Sequence, residues 1–412
     1  MSRLNALSYH SIRWATTSIG RLPSNFVNSL GKWLGRALYY LLPKFRKRAL
    51  SNLALATDLN LSNKEIPALA KLSFENLATT LLEYGKLCVC KNLDFVTCEN
   101  HHKAEQILKG GKGVIFFCAH QANWEILFLE GASRMPGVAI GRPIKNKLLY
   151  QWITTIRERF GGTIIAPKDA IKEGLRALKQ GKFLGIVGDQ GMPESNFSTN
   201  FLGRRAYTSP VPALLAYKTG CPIIFAETVR LQNGNYKIRY NDPIYADTSK
   251  PKGEEVFTLM SKVLSQLELS IKRHPDQWMW QHNRWKQETP AEVFYAYRYD
   301  SILIILPKHF DPEIPKLLRA IYPRVFITAL APSKVEKIET ILYTDEPLID
   351  DYRFKLVFNF TDFPVARHYL KFSAHKVLSI SDLRVDSLKR KPNASCPLDI
   401  IKWAICRSPE NY

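Results

Sequence analysis

The sequence predicts an α/β protein: a mostly parallel sheet flanked by helices, an amphipathic helix before it, and a second, smaller Rossmann-like α/β domain after it. Three observations carry this. The short apolar runs Val114 to Cys118, Leu184 to Val187 and Ile223 to Val229 lack polar alternation and read as strands buried on both faces. Stretches of helical spacing separate them, such as Ile171, Leu175 and Leu178, and this alternation marks a parallel sheet covered on both sides. After Gln287 to Pro290 a new cycle begins, with strand Ile302 to Leu306, helix Ile314 to Ile321, strand Val325 to Ala329 and strand Leu356 to Phe360.

A chain of 412 residues is long for one domain. The expected partition is a basic leader over 1–48, a first domain over 49–290 and an accessory α/β domain over 291–412. The leader holds no acid before Asp58, while Arg3, Arg13, Arg21, Lys32, Arg36, Lys44, Arg46, Lys47 and Arg48 are all cationic. From Val27 to Leu42, Val27, Leu30, Leu34, Leu38 and Leu41 recur at helical spacing, with Trp33, Tyr39 and Tyr40 as interface aromatics. Such a stripe predicts a helix lying in a membrane surface, the alternative being a soluble surface helix packed on the domain by the same residues. Gly31 and Gly35 form a GxxxG pair suited to close helix packing. Arg13, Arg21, Pro23, Lys32 and Arg36 interrupt the apolar stretches, so neither a secretory signal nor a spanning helix is expected.

Ser62 and Glu65 form a capping box that opens a helix running towards Tyr84. A helix is expected from about Asn123, after the strand Val114 to Cys118. Asn233-Gly234 predicts a turn into Tyr236 to Tyr240, giving an antiparallel pair that closes one edge of the sheet. Glu254 to Lys272 reads as a long amphipathic helix, and Trp278, Trp280 and Trp285 end the first domain.

Apolar residues make up 46% of the chain and charged ones 23%, enough for a sizeable core. The formal charge of +21 suits anionic partners: nucleic acid, anionic lipid, a lipid-linked phosphate or an acidic carrier protein. No zinc-finger spacing, RNA-recognition signature or evident helix-turn-helix supports the first of these. Cysteines 88, 90, 98, 118, 221, 396 and 406 match neither a disulfide framework nor a zinc site, so free thiols in a reducing compartment are expected.

His120 follows the strand Val114 to Cys118, and Glu125 comes in the first turn of the next helix. A carboxylate on one imidazole nitrogen fixes the tautomer and leaves the other nitrogen as a base near neutral pH. Alone, a His-x-x-x-x-Glu spacing is weak. Further along stand Gly141-Arg142-Pro143 with Asn146, Arg157-Glu-Arg159 before Phe160-Gly161, Asp189, Phe201-Leu-Gly203 with Thr208, and Trp278-Met-Trp-Gln-His282-Asn-Arg284-Trp-Lys286. In order and approximate spacing, this set over residues 10 to 287 resembles the late acyltransferases of lipid A biosynthesis, lauroyl and myristoyl transferases with a glycerolipid-acyltransferase-like fold.

The resemblance implies an acyl transfer from an acyl carrier protein thioester to a hydroxyl of a lipid A precursor, at the cytoplasmic face of the inner membrane. It makes His120 the general base and Glu125 the group that orients and charge-stabilises it. Arg142, Asn146, Arg157, Arg159, Asp189 and Arg284 become the substrate-binding set, with Arg157 the first candidate for the oxyanion and Arg142 the second. Asp189 reads as a partner for Arg157 or for a substrate hydroxyl, or else as a turn aspartate that caps the next segment. Relatives often carry an acid two places after it; Gly191 here argues against paired carboxylates and a metal, and no cofactor is expected. Another glycolipid or glycerolipid acceptor, or a non-catalytic basic membrane- or nucleic-acid-binding protein, are the alternatives. The tail faintly resembles the first half of a heptosyltransferase, but Pro307-Lys-His-Phe-Asp-Pro312 lacks that family's glycine, so an accessory role is expected.

Overall fold

The computed structural model describes residues 3–412, with side chains from Asn5 onward, so Met1, Ser2 and the Arg3 side chain of the leader lie outside the described residues. The chain forms two compact units, each drawn from separated segments. The first takes the residues up to Leu41 with 71–190 and 208–279; the second takes 42–70, 191–207 and 280–412. The sequence boundary near 287–290 therefore falls inside the second unit.

Strands and helices are numbered in chain order. In the first unit a seven-stranded sheet runs β1-β9-β8-β2-β5-β3-β4. Its strands are β1 (Val96–Glu99), β2 (Val114–Cys118), β3 (Gly137–Ile140), β4 (Thr163–Ile165), β5 (Phe183–Val187), β8 (Ile223–Arg230) and β9 (Tyr236–Tyr240). Every pairing is parallel except β8 with β9. β2 is buried at all five positions between β5 and β8, which is why its run of Val, Ile, Phe, Phe and Cys shows no alternation. The antiparallel pair forms as expected, but it does not close the edge: β1, which the sequence pattern did not reveal, adds parallel to β9 outside it.

The helices of this unit include α5 (His101–Lys109), α6 (Trp124–Arg134), α7 (Lys147–Arg157), α8 (Ala170–Lys179), α9 (Val211–Thr219) and α10 (Lys252–Arg273). α9 ends at Gly220, whose φ of 68° is the left-handed cap that glycine adopts without a Cβ penalty. α4 (Glu65–Val89) opens on the expected capping box. Glu65 accepts from both the Ser62 amide (2.8 Å) and its hydroxyl (2.6 Å).

The leader forms two helices, α1 (Arg3–Gly20) and α2 (Ser24–Leu41). The buried stripe of α2 is Val27, Gly31, Gly35 and Tyr39, spaced four apart, rather than the leucines. Tyr39 is thus a packed residue, edge-on to Phe74, and not an interface aromatic. A Cβ at Gly35 would overlap the backbone of Phe74 and Glu75, and one at Gly31 would overlap Thr79. Glycine lets α2 lie backbone-to-backbone on α4, and Gly20 of α1 meets Gly85 in the same way. No helix among the described residues is long and apolar enough to cross a membrane.

In the second unit a parallel sheet runs β12-β11-β10-β13-β14, from β10 (Ser301–Ile305), β11 (Phe326–Ala331), β12 (Glu339–Leu342), β13 (Leu356–Asn359) and β14 (Lys376–Ser379). In chain terms the order is 3-2-1-4-5, the doubly wound arrangement. Successive β10 residues face opposite cores. Ile302 and Ile304 join α11 (Glu313–Ile321) and α14 (Pro397–Ile405), with α13 (Ile380–Leu388) beside them; Leu303 and Ile305 join Tyr369 of α12 (Ala366–Lys371).

This unit also holds α3 (Pro43–Leu55) and the hairpin β6 (Ser198–Phe201) with β7 (Arg204–Tyr207). Ser51 donates to the Arg353 carbonyl (2.8 Å), Lys47 to Ala374 (2.6 Å) and Asn52 to Trp280 (2.8 Å), so a chain cut near residue 290 removes acceptors that α3 uses. A side chain at Gly191 would overlap the Asn283 and Arg284 carbonyls, which leaves no room there for a second acid.

Two outcomes follow. Gly35→Leu forces α2 off α4 and should destabilise the protein by about 1–3 kcal/mol, read as a lowered urea midpoint with an unchanged slope. Burial, then the charges of Lys355, Lys47, Arg48 and Lys44, push the His375 imidazole from 6.5 down to about 4. The unfolded chain then takes up a proton below pH 6.5 that the folded chain refuses until about 4, so stability falls as pH drops through that window. His375→Phe should flatten this part of the urea-midpoint profile between pH 7 and 4.

Candidate active site

β2 and β5 are in register with Cys118 opposite Val187. Two residues further along each chain stand His120 and Asp189, so this pairing carries an imidazole and a carboxylate to the same carboxyl edge. The Gly188 amide donates to the Cys118 carbonyl at 3.0 Å and extends the ladder towards them. Asp189 is fully buried. It accepts from the His120 amide (2.9 Å), from His120 Nδ1 (2.7 Å) and from Trp278 Nε1 (2.8 Å). A carboxylate can only accept, so Nδ1 is the donor, and in the neutral imidazole the lone pair is then on Nε2.

The turn that presents His120 is clamped. Ala122 sits at φ 47°, unusual for a residue with a Cβ. Its amide donates to the Gln277 carbonyl (2.7 Å), its carbonyl accepts from Thr80 Oγ1 (2.7 Å), and the Met279 amide donates to the His120 carbonyl (3.0 Å). The Trp124 indole packs edge-on to the imidazole at 4.9 Å.

Glu125 occupies a different position from the expected one. The carboxylate on Nδ1 is Asp189; Glu125, 5% exposed, receives a two-pronged bond from Arg157, Nε to Oε2 at 2.8 Å and Nη2 to Oε1 at 2.5 Å. The reason is register: Asp189 leaves the neighbouring strand level with His120, whereas Glu125 points from the first turn of α6 towards the end of α7. For the same reason Arg157 is held by Glu125, not by Asp189. Trp124 Nε1 also donates to Glu125 (3.2 Å), and Arg157 Nη2 reaches the Tyr84 hydroxyl (3.3 Å). Burial alone would lower the guanidinium's affinity for its proton, but the Glu125 charge raises it above the usual arginine range. Burial and then Glu125 push Tyr84 well up, so it stays a neutral phenol.

The other predicted residues fall in different places. Asn146 is the N-cap of α7, accepting from the amides of Leu148 (3.1 Å) and Leu149 (3.3 Å) and donating to the Asn5 carbonyl (2.9 Å). Arg159 donates to the carbonyls of Leu87 (3.0 Å) and Cys88 (2.8 Å), capping the end of α4. Arg284, fully buried, lies in the second unit, where it donates to the Tyr207 carbonyl (2.6 Å) over the Phe201 ring. Arg142 stands exposed after β3. Tyr84 carried no signal in the sequence, and Trp278 stood in the aromatic motif with nothing to mark its bond to Asp189. Among the described residues no group of three or more His, Cys, Asp or Glu is placed to hold a metal.

A strand-end histidine held by a buried carboxylate is an arrangement suited to a general base, and the family match places the protein among the acyltransferases. It belongs to the bacterial lipid A biosynthesis acyltransferase family, whose model matches residues 4–287. It is 25% identical to the lipid A biosynthesis lauroyltransferase of Escherichia coli (strain K12) over 278 residues, 65% of this chain and 87% of that one. The myristoyltransferase of the same organism is 24% identical over 298 residues, 68% and 87% of the two chains. A lipid A biosynthesis acyltransferase of Haemophilus influenzae is 26% identical over 206 residues, 47% and 60%. The sheet β10 to β14 lies beyond the matched residues.

Arg157→Met strands the buried Glu125 charge and should cost about 3–5 kcal/mol of stability. Adding Glu125→Gln should restore most of it, and a urea double-mutant cycle reads the coupling.

Proposed function

We propose that this protein transfers a fatty acyl chain from an acyl carrier protein thioester to a hydroxyl of a lipid A precursor, with His120 as general base. The observation that carries this reading is the 2.7 Å bond between Asp189 and His120 Nδ1, which leaves Nε2 as the proton acceptor. The acceptor hydroxyl gives its proton to Nε2 as its oxygen attacks the thioester carbonyl carbon. The tetrahedral oxyanion collapses, the C–S bond breaks, and the leaving thiolate takes the proton back from the imidazolium. Asp189 is a positioning residue that holds the tautomer and balances the imidazolium charge. Arg157 spends Nε and Nη2 on Glu125, and its Nη1 remains for the oxyanion or a phosphate oxygen.

The cytoplasmic face of the inner membrane is the proposed location, held by the leader. What supports it is the exposure of Trp14 (75%), Trp33 (67%) and Leu41 (72%) on α1 and α2, together with the run of cations before Asp58. The β10 to β14 sheet is proposed as a Rossmann-like accessory domain without transferase chemistry of its own, because Pro307 to Pro312 after β10 holds no glycine for a phosphate loop.

Purified protein with acyl carrier protein thioesters and a tetra-acylated lipid A precursor, read by mass spectrometry, should give a penta-acylated product. His120→Ala should lower turnover by about 10²–10⁴. Asp189→Asn, which can still accept from Trp278, should lower kcat by a similar order while both KM values stay within about twofold. Near-normal turnover in a folded His120→Ala protein rejects the mechanism.

A further inference from the structure

We infer that the loops leaving β3 and β4 form the docking surface for an acidic carrier protein that presents the acyl thioester, an inference that rests on the acyl-transfer reading above. β3 and β4 are parallel neighbours with Ile140 opposite Ile165, and the Gly141 amide still donates to the Ile165 carbonyl at 3.0 Å. The two chains therefore leave the sheet side by side at Gly141 and Ala166, about 4.8 Å apart. One brings Arg142, Lys145 and Lys147; the other brings Lys168 and, in the first turn of α8, Lys172. All of them are exposed, and none has a hydrogen-bond or ion-pair partner among the described residues.

Nearby acids are engaged elsewhere. Glu158 accepts from the Ile164 amide (2.9 Å), and Glu173 takes Arg176 at 3.0 and 2.7 Å; Asp169 is the acid left on these loops. A concentration of uncompensated like charge steers an acidic partner and fixes its orientation on arrival. The place fits a donor: this is the carboxyl edge that carries His120 and Asp189, and a Cβ at Gly141 would lie 3.4 Å from Arg157 Nη1, so the basic edge runs into the Glu125–Arg157 pair.

An anionic bilayer is the poorer match. The exposed apolar side chains among these cations are Ile144 (39%) and Ile171 (58%), whereas exposed aromatics of the kind that settle at a bilayer interface, Trp14, Trp33 and Tyr40, lie on α1 and α2. Two aliphatic side chains ringed by lysines match one face of an acidic amphipathic helix.

The test uses the full chain with Lys145, Lys168 and Lys172 all changed to Glu, and Lys262→Glu on α10 as the control. Labelled acylated carrier protein is titrated by fluorescence anisotropy at low salt and at about 150 mM. Turnover is measured with the carrier-bound donor and with the same acyl chain on a pantetheine thioester lacking the protein. The triple variant should lose about tenfold or more in carrier affinity and gain a matching factor in KM for the carrier-bound donor. Its KM for the pantetheine thioester should move much less, and the salt dependence of wild-type binding should flatten. Carrier affinity equal to wild type, or equal KM changes for both donors in a folded variant, overturns the inference. So does loss of anionic-vesicle flotation with carrier binding intact. If the wild type turns over neither donor, the acyl-transfer reading fails, and the anisotropy titration still decides the docking surface.

Discussion

A buried carboxylate must be given donors or a cation, because an isolated charge in a low-dielectric interior is prohibitively costly. Around the turn after β2 the chain sinks Asp189, Glu125 and Glu83, exposed by 0%, 5% and 3%. Each has its own set of donors. Asp189 takes two from His120 and one from Trp278, and Glu125 takes the fork of Arg157. Glu83 takes Arg230 (2.8 Å), Asn123 (3.1 Å) and the Tyr236 hydroxyl. Arg230 also reaches Thr80 (2.8 Å) and Asn76, while Gln277 bonds the Arg230 amide (2.8 Å) and carbonyl (3.0 Å). α4, the His120 turn, the end of β8 and the segment before Trp278 are thereby tied into one polar frame. The frame fixes the position of the His120 ring, and a general base in the proposed transfer would need that rigidity.

The same frame gives the leader a structural part in the site. α4 supplies Asn76, Thr80, Glu83 and Tyr84 to the site, and it also meets α1 and α2 through Gly20, Gly31 and Gly35. Helices without bulky side chains at the contact pack at backbone distance, so the leader's glycines set where α4 lies and, through it, where the polar frame sits. The leader and the site geometry share one element, α4.

The second unit obeys a different economy. Its sheet is covered on both faces by apolar clusters, and it gathers α3, the β6–β7 hairpin and the Trp280 and Trp285 rings, stacked at 6.5 Å. Trp280 and Trp285 of the aromatic motif thus serve packing here. Arg284 over Phe201 illustrates it: an arginine that reads as a ligand-binding charge is a buried strut.

Local chemistry made much of this legible. β2, β9, α8 and the Ser62 capping box were readable because an uninterrupted apolar run, a turn dipeptide or a capping pair encodes its structure within a few residues. β1, β3 and β4 were not: each has three or four residues and takes its place from its neighbours. The order of motifs named the family and pointed to His120, since strand-end placement is a property of the chain. Which carboxylate orients the imidazole was decided by the tertiary structure alone, because Asp189 and Glu125 are both acids of the same motif set. Only the pairing of β2 with β5, 69 residues on, brings one of them to 2.7 Å from Nδ1 while α7 claims the other.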